Sequence, residues 1–221
     1  CQKTKMKKLV IFDLDGTLLN TIADLAHSTN YALEKNGFPT HQLGEYNYFV
    51  GNGINKLFER ALPEGEKTEE NIAKIRRDFL AHYDVHNADN SRPYEGIPEL
   101  LLALQEKGVQ IAVASNKYQA ATTKLVGYFF PNIHFTAVLG QREGVKTKPD
   151  PGIVAEIREK AQVDAADTLY IGDSNVDMQT AINSGVDGCG VTWGFRPASE
   201  LESYHPKYIA QKASDILGML E

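Results

Sequence analysis

The sequence predicts an α/β fold, a Rossmann-like parallel sheet that carries a small inserted all-helical domain. The first observation behind this prediction is that short apolar, β-branched runs alternate with helical patterns after residue 92. The predicted strands span residues 9–12, 109–114, 135–139, 168–171 and 190–193. Because the connections between these strands are helical crossovers, the alternation favours parallel strands with helices on both faces.

The second observation is the region between the first two strands, which has helical periodicity and no strand pattern. One helix is predicted after Thr17 with Ile22 on its apolar face, and two more span residues 54–62 and 68–86. Thr21 and Asp24 resemble a capping box at the first helix.

This helical region is too long for a simple crossover, which indicates an inserted domain. We therefore predict a sheet domain formed by residues 6–17 and 91–221, and a helical domain formed by residues 18–90.

Composition narrows the possible partners and compartment. The formal net charge is -6, which gives no basic footprint for nucleic acid or an acidic membrane surface. Only two cysteines are present, Cys1 and Cys189, as expected of a cytoplasmic protein in a reducing compartment. The chain begins at Cys1; we expect Met6 to be the natural start, with a lipid-modified Cys1 as the alternative.

The third observation is that polar side chains follow four of the predicted strands. They are Asp13 and Asp15, Ser115 and Asn116, Lys148 in the next loop, and Asp173 and Asp177. The carboxyl ends of parallel strands meet at one edge of a sheet, so these groups are expected to share a crevice. Carboxylates suit a divalent cation such as Mg²⁺, and the hydroxyl, amide and ammonium groups suit a phosphate. The combination predicts phosphoryl transfer, although Asp15-Gly16 alone fits an ordinary turn equally well.

These motifs, in this order, resemble those of the haloacid dehalogenase-like hydrolase superfamily. They are Asp13-Leu14-Asp15-Gly16-Thr17, Ser115-Asn116, Lys148-Pro149-Asp150-Pro151 and Gly172-Asp173-Ser174-Asn175-Val176-Asp177. The helical insert resembles the superfamily's C1 cap, and Gly51-Asn52-Gly53-Ile54 within it resembles the phosphoglycolate phosphatase branch. The resemblance implies a core strand order of 5-4-1-2-3.

The resemblance also implies a division of labour between the two carboxylates that follow the first strand. Asp13 would be the nucleophile that forms an aspartyl-phosphate, with Lys148 screening the phosphate charge. Asp15 would act first as acid and then as base. A halide leaves unprotonated, so an acid two residues after the nucleophile favours a phosphatase over a dehalogenase.

The implied cofactor is Mg²⁺. Its ligands would be the Asp13 carboxylate, the Asp15 backbone carbonyl and Asp173, with Asp177 binding through water or supporting the ligands. Ser115 would donate to a phosphoryl oxygen, and Asn116 would assist it.

The expected function is hydrolysis of a small phosphorylated metabolite, a phosphoglycolate-like monoester. A phosphomutase of the β-phosphoglucomutase type, a pyrophosphatase and a non-catalytic phosphate-binding module stay open as alternatives. A phosphonatase with a Schiff-base lysine at Lys56 is a further one.

Five other residues have two interpretations each. Asn52 and Lys56 would contact the substrate from an insert loop, or would belong to a plain turn before a helix. His82 and His86 have metal-ligand spacing, but an ordinary helix surface is expected. Arg196 would border the crevice or lie on the surface.

Two more lysines lie beside these motifs. Lys146 is the competitor of Lys148 for the role of the phosphate-screening cation, and Lys148 is preferred because the Lys-Pro-x-Pro pattern falls on it. Lys117 is predicted to begin the helix after the second core strand.

Overall fold

The computed structural model describes residues 5–221, so the expectation about Cys1 lies outside the described residues. In chain order the strands are β1 (Leu9–Phe12), β2 (Leu19–Asn20), β3 (Arg92–Pro93), β4 (Gln110–Tyr118), β5 (Ala137–Gln141), β6 (Thr168–Gly172), β7 (Asp187–Val191) and β8 (Tyr208–Ala210). The helices are α1 (Ile22–Lys35), α2 (Ile54–Ala61), α3 (Glu69–His86), α4 (Ile97–Glu106), α5 (Gln119–Phe129), α6 (Gly152–Ala161), α7 (Asn175–Ser184) and α8 (Ala198–Glu202). Three 3-10 helices complete the chain at Leu43–Tyr48, Ala165–Asp167 and Ala213–Met219.

Six strands form one parallel sheet in the order β5-β4-β1-β6-β7-β8. If β1, β4, β5, β6 and β7 are numbered 1 to 5 as core strands, their order read from β7 to β5 is 5-4-1-2-3, so the predicted order is confirmed. Strand β8, a three-residue edge strand that pairs with β7, has no counterpart among the predicted strands.

Strand β1 lies at the centre of the sheet and is buried on both faces. Its side chains alternate between two hydrophobic clusters, with Val10 and Phe12 in one and Leu9 and Ile11 in the other. The first cluster includes residues of α4 and α5, and the second includes residues of α6 and α7. This two-sided burial explains the unbroken apolar run and fixes where Asp13 leaves the sheet.

The inserted helices α1, α2 and α3, with the first 3-10 helix, are called the cap below. They supply most of an apolar cluster that includes Leu33, Phe58 and Phe79 and also contains Ala121 of α5. The segment that enters the cap and the segment that leaves it lie side by side, because β2 pairs antiparallel with β3. The domain boundaries predicted at residues 18 and 90 stay a prediction.

The capping box predicted at Thr21 and Asp24 is wrong, because the Thr21 side chain makes no capping hydrogen bond. The Asp24 carboxylate instead accepts hydrogen bonds from the backbone N–H groups of Asn90 and Ser91 and from the Ser91 hydroxyl. This buried carboxylate therefore joins the start of α1 to the chain that leaves the cap.

The prediction that Lys117 begins a helix is also wrong. Strand β4 extends through Tyr118, and α5 begins at Gln119. Within residues 5–221, no helix combines the length and hydrophobicity that a membrane span requires.

Candidate active site

The predicted polar groups meet at the carboxyl edge of the parallel sheet. Asp13 directly follows β1, Asp173 directly follows β6, and Lys148 lies in the loop after β5. The Lys148 ammonium nitrogen is 3.1 Å from Asp13 Oδ1 and 2.9 Å from Asp177 Oδ1. The ends of three strands therefore contribute to one cluster of charges, as the topology predicts.

The Lys148 ammonium is saturated with oxygen partners. Besides the two carboxylates it contacts the Ala114 carbonyl oxygen at 2.8 Å and the Tyr170 hydroxyl at 2.9 Å, and its side chain is 2% exposed. Burial alone lowers the pKa of Lys148, but the charges of Asp13 and Asp177 outweigh burial, and the pKa stands well above its ordinary value. Lys148 is therefore a fixed positive charge beside Asp13.

Three carboxylates at this edge carry more negative charge than one lysine neutralises. Asp13, Asp173 and Asp177 each present an oxygen within 4.8 Å of the others. Burial, and then the Asp177 charge, raises the pKa of Asp13 well above its ordinary value and that of Asp173 to about 7. Such a deficit of positive charge among oxygen donors fits a hard divalent cation.

The members of this cluster differ in how many lone pairs they have free. Asp177 Oδ1 accepts from Lys148 and Tyr170, and Oδ2 accepts from the Asp173 and Ser174 N–H groups. Asp177 thus orients the Lys148 side chain and the backbone of Asp173 and Ser174. These contacts fit its predicted role as a supporting or water-mediated ligand. The Asp13 carboxylate, by contrast, accepts from one side-chain donor among the described residues, the Lys148 ammonium.

Asp173 is held from two sides. Its Oδ1 accepts from the Thr17 hydroxyl at 3.1 Å, and its Oδ2 accepts from the Phe195 N–H at 3.0 Å. Gly16 lies so close to Asp173 that a Cβ on residue 16 would overlap the Asp173 carboxylate. Its φ of 88° also favours glycine. The Asp15-Gly16 turn is therefore also a packing requirement of the site.

Asp15 lies beside the cluster, with partners that the sequence analysis did not identify. Its Oδ1 accepts a 2.5 Å hydrogen bond from the Thr21 hydroxyl, and both oxygens face the Lys117 ammonium at 3.0 and 3.3 Å. Because Lys117 directly follows Ser115 and Asn116, its position in the motif was a signal that could have identified it.

A cavity lies between these strand ends and the cap. Its polar wall comes from the core, and its apolar wall includes Leu25, Ile54 and Leu57 of the cap. The remaining lining residues are Asp13, Asp15, Val50, Gly51, Gly53, Ser115, Asn116, Lys117, Asp173, Ser174, Phe195 and Arg196. A small molecule in this cavity contacts the nucleophile candidate Asp13 and the cap at once.

Asn116 and Ser115 occupy the core side of this cavity. The Asn116 side-chain nitrogen donates to the Gly51 and Lys148 carbonyl oxygens, and its Oδ1 accepts from the Lys148 N–H. The Ser115 Oγ accepts from the Lys117 N–H, which leaves its own hydrogen free to donate into the cavity.

A family model for haloacid dehalogenase-like hydrolases matches residues 10–191. The chain belongs to this family. It is 34% identical to the phosphoglycolate phosphatase of Agrobacterium fabrum over 89% of this chain and 86% of that protein. It is 31% identical to the phosphoglycolate phosphatase of Vibrio parahaemolyticus over 95% of this chain and 94% of that one.

The fold agrees with this membership. A crystal structure from Haemophilus somnus, described as a predicted phosphoglycolate phosphatase, superposes with a TM-score of 0.90 at 30% identity and covers 97% of this chain and 98% of that one. This haloacid dehalogenase-like hydrolase is accordingly an enzyme of the phosphoric monoester hydrolase class.

The buried Lys148 and Asp177 do not line the cavity of this hydrolase. Neither does a third predicted site residue, Asn52 of the cap. Its side-chain oxygen accepts a 2.9 Å hydrogen bond from Arg60, while the flanking Gly51 and Gly53 line the cavity instead. Lys56 pairs with Glu59 on the exposed surface of α2.

The histidine pair lies on α3, and neither ring belongs to the acidic cluster. His82 Nδ1 is 2.7 Å from the Ser28 hydroxyl, and His86 Nδ1 is 2.7 Å from Asp89. These contacts fit the expected helix surface.

Arg196 lines the cavity and also joins the core to the cap. Its guanidinium donates to the backbone carbonyl oxygens of Asn47, Tyr48 and Val50, and it pairs with Glu200. Residues 47–53, called the cap loop below, are thus held from the core by Arg196 and, at Gly51, by Asn116.

Proposed function

We propose that this enzyme hydrolyses a small phosphate monoester, phosphoglycolate or a close analogue, with Mg²⁺ and through an aspartyl-phosphate on Asp13. The single observation that carries the proposal is the position of Asp13. It faces the cavity, lies 3.1 Å from Lys148 and belongs to the acidic cluster, and Asp15 lines the same cavity. The names of the relatives support the choice of substrate.

The first half-reaction uses Asp13 and Asp15 in turn. A carboxylate oxygen of Asp13 attacks phosphorus, and the bond from phosphorus to the ester oxygen breaks with its electron pair on that oxygen. Asp15, in its acid form, gives its proton to the departing oxygen, so the product leaves with a hydroxyl group rather than as an alkoxide. Lys148 stabilises charge on the phosphoryl group, and Ser115 donates a hydrogen bond to one of its oxygens.

The second half-reaction returns both carboxyl groups to their starting forms. Asp15, now a carboxylate, takes a proton from water while the water oxygen attacks phosphorus. The bond between phosphorus and the Asp13 oxygen breaks, which releases inorganic phosphate and restores the Asp13 carboxylate. The sum is one ester and one water converted to one alcohol and one phosphate.

The residues that would hold Mg²⁺ are Asp13 and Asp173 through their carboxylates and Asp15 through its backbone carbonyl, with Asp177 supporting them. When bound, the ion neutralises negative charge on the phosphoryl group and on Asp13. The raised pKa values of Asp13 and Asp173, which follow from burial and mutual repulsion, support this assignment.

We also propose that residues 18–90 form a cap that selects the substrate, since part of the cavity wall comes from that segment. A cytoplasmic location is proposed as well. The free, buried Cys189 suits a reducing compartment.

The test is a panel of phosphate esters incubated with purified protein and Mg²⁺ and followed by phosphorus NMR. We expect free inorganic phosphate, the highest kcat/KM for phosphoglycolate, and loss of turnover with a chelator. The Asp13→Asn variant, purified identically, controls for contaminating phosphatases.

Three other results would replace the proposal. An isomeric sugar phosphate would indicate a mutase, and turnover of pyrophosphate alone would indicate a pyrophosphatase. Binding without turnover of any ester would indicate a phosphate-binding module.

A further inference from the structure

Lys117 is a buried lysine in the cavity that the proposed reaction does not use. Its side chain is 3% exposed, and its ammonium lies 3.0 and 3.3 Å from the two Asp15 oxygens. It also lies 4.8 Å from the centroid of the Tyr83 ring in α3. In the part of the chain that the structure describes, Asp15 is its one hydrogen-bond acceptor, so the three donors of the ammonium are not all used.

The other cations near the cavity already use their hydrogen-bond donors on protein oxygens. Lys148 contacts four oxygens, two of them carboxylate oxygens. Arg196 donates to three backbone carbonyls of the cap loop and to Glu200. Lys117 is therefore the cavity cation best placed to accept a further anionic partner.

The position of Lys117 relative to the reaction follows from Asp15. In the proposed mechanism Asp15 protonates the ester oxygen, so that oxygen lies about 3 Å from the Asp15 carboxyl group. Since the Lys117 ammonium contacts the same carboxyl group, it lies at most about 6 Å from the ester oxygen. A charged group on the carbon next to the ester oxygen falls within its reach.

Apart from the backbone of Gly51 and Gly53, the cap presents apolar side chains to this space. Leu25, Ile54 and Leu57 form an apolar wall there. An anionic substituent that faced this wall would lose water without gaining a partner, whereas Lys117 supplies one in a largely dehydrated site.

We propose that Lys117 determines substrate specificity by binding a carboxylate carried on the carbon next to the ester oxygen. The substrates of this enzyme would then be phosphate esters of 2-hydroxy acids. The inference rests on the proposed function, because it places the ester oxygen through the acid role of Asp15.

The experiment compares two substrates of nearly the same size, phosphoglycolate and 2-hydroxyethyl phosphate, which has CH₂OH in place of the carboxylate. For the wild-type enzyme we expect kcat/KM to favour phosphoglycolate by about tenfold or more, as for a charge-assisted hydrogen bond. The Lys117→Met variant should bring this ratio close to one. Lys117→Arg, which keeps the charge, should retain part of the preference.

The exposed Lys146 gives a matched control, and Lys146→Met should leave the ratio unchanged. An equal loss on both substrates in Lys117→Met would overturn the proposal, since Lys117 would then act only by positioning Asp15. A wild-type enzyme that hydrolyses both esters equally well would overturn it too, whether or not the variants fold. Absence of hydrolysis of every ester would instead reject the proposed function itself.

A second measurement separates binding from turnover. In the Asp13→Asn background, with Mg²⁺ present, calorimetry would give dissociation constants for the same two esters. We expect phosphoglycolate to bind about tenfold more tightly, and this difference to disappear when Lys117→Met is added. Persistence of the difference in the double variant would assign the carboxylate to another residue.

Discussion

The side chain of Asn116 donates a 3.0 Å hydrogen bond to the backbone carbonyl oxygen of Gly51. This bond joins the end of β4 to the cap loop across the cavity. The other side-chain hydrogen bonds of Asn116 go to the backbone of Lys148, so one amide holds both the cap and the loop that carries Lys148.

Asn116→Ala should therefore weaken substrate binding more than it slows chemistry. The cap loop and the loop that carries Lys148 each lose a fixed partner. The backbone carbonyls of Gly51 and Lys148 each lose a hydrogen bond. We expect KM to rise about tenfold and the free energy of unfolding to fall by about 1–3 kcal/mol. Steady-state kinetics and urea denaturation measure the two effects, and an unchanged KM would show that the cap loop does not need this contact.

Asp13→Asn should reduce kcat by about a thousandfold or more, since the amide is a poor nucleophile. It should not lower the thermal midpoint of the metal-free protein, because the substitution removes one member of a repelling group of buried carboxylates. Kinetics and calorimetry on the same preparation check both statements. Near-wild-type turnover would reject Asp13 as the nucleophile.

Lys148→Met should destabilise the fold as well as abolish activity. Removing the ammonium leaves Asp13 and Asp177 facing each other without a counter-charge, and breaking a buried pair typically costs about 3–5 kcal/mol. Chemical denaturation measures the loss. Lys146→Met, in the exposed part of the same loop, is the control and should stay within about 0.5 kcal/mol of wild type.

The raised pKa of Asp173, about 7, predicts how the metal-free protein responds to pH. The folded state keeps this proton to higher pH than the unfolded chain, whose pKa is near 3.8. The contribution of Asp173 to stability is thus full below about pH 4 and is lost as pH rises to about 7.

Subtracting the pH profile of Asp173→Asn from that of the wild type isolates this effect, provided that both are measured with a chelator. Mg²⁺ should remove the loss by stabilising the ionised carboxylate, and its affinity should rise with pH up to about 7. A difference profile that is flat between pH 4 and pH 7 would contradict the pKa of Asp173.

The sequence predicted the parts of this molecule that local pattern and strand topology determine. Asp13, Lys148 and Asp173 follow buried strands, and parallel strand ends must meet at one edge, so their convergence follows from the topology alone. The core strand order is likewise confirmed.

The predictions that were wrong concern side chains whose partners are distant in the chain. Asp24 has the spacing of a capping residue, but it accepts hydrogen bonds from Asn90 and Ser91, more than sixty residues away. The polar run Ser115-Asn116-Lys117 predicts the end of a strand, with Lys117 at the start of the next helix. In the structure β4 continues through Tyr118, and Lys117 pairs with Asp15. Long-range partners of this kind leave no periodic trace in a sequence.

The central position of β1 also constrains how the chain reaches its native state. Residues 9–12 pair with residues 110–113 on one side and with residues 168–171 on the other. During synthesis this apolar strand emerges well before either neighbour, and it has both of them only after residue 171 has been made. Such distant pairings slow folding and leave an open strand edge that invites association with other chains. The cap lies between β1 and its first neighbour, so its helices emerge while that edge is still open.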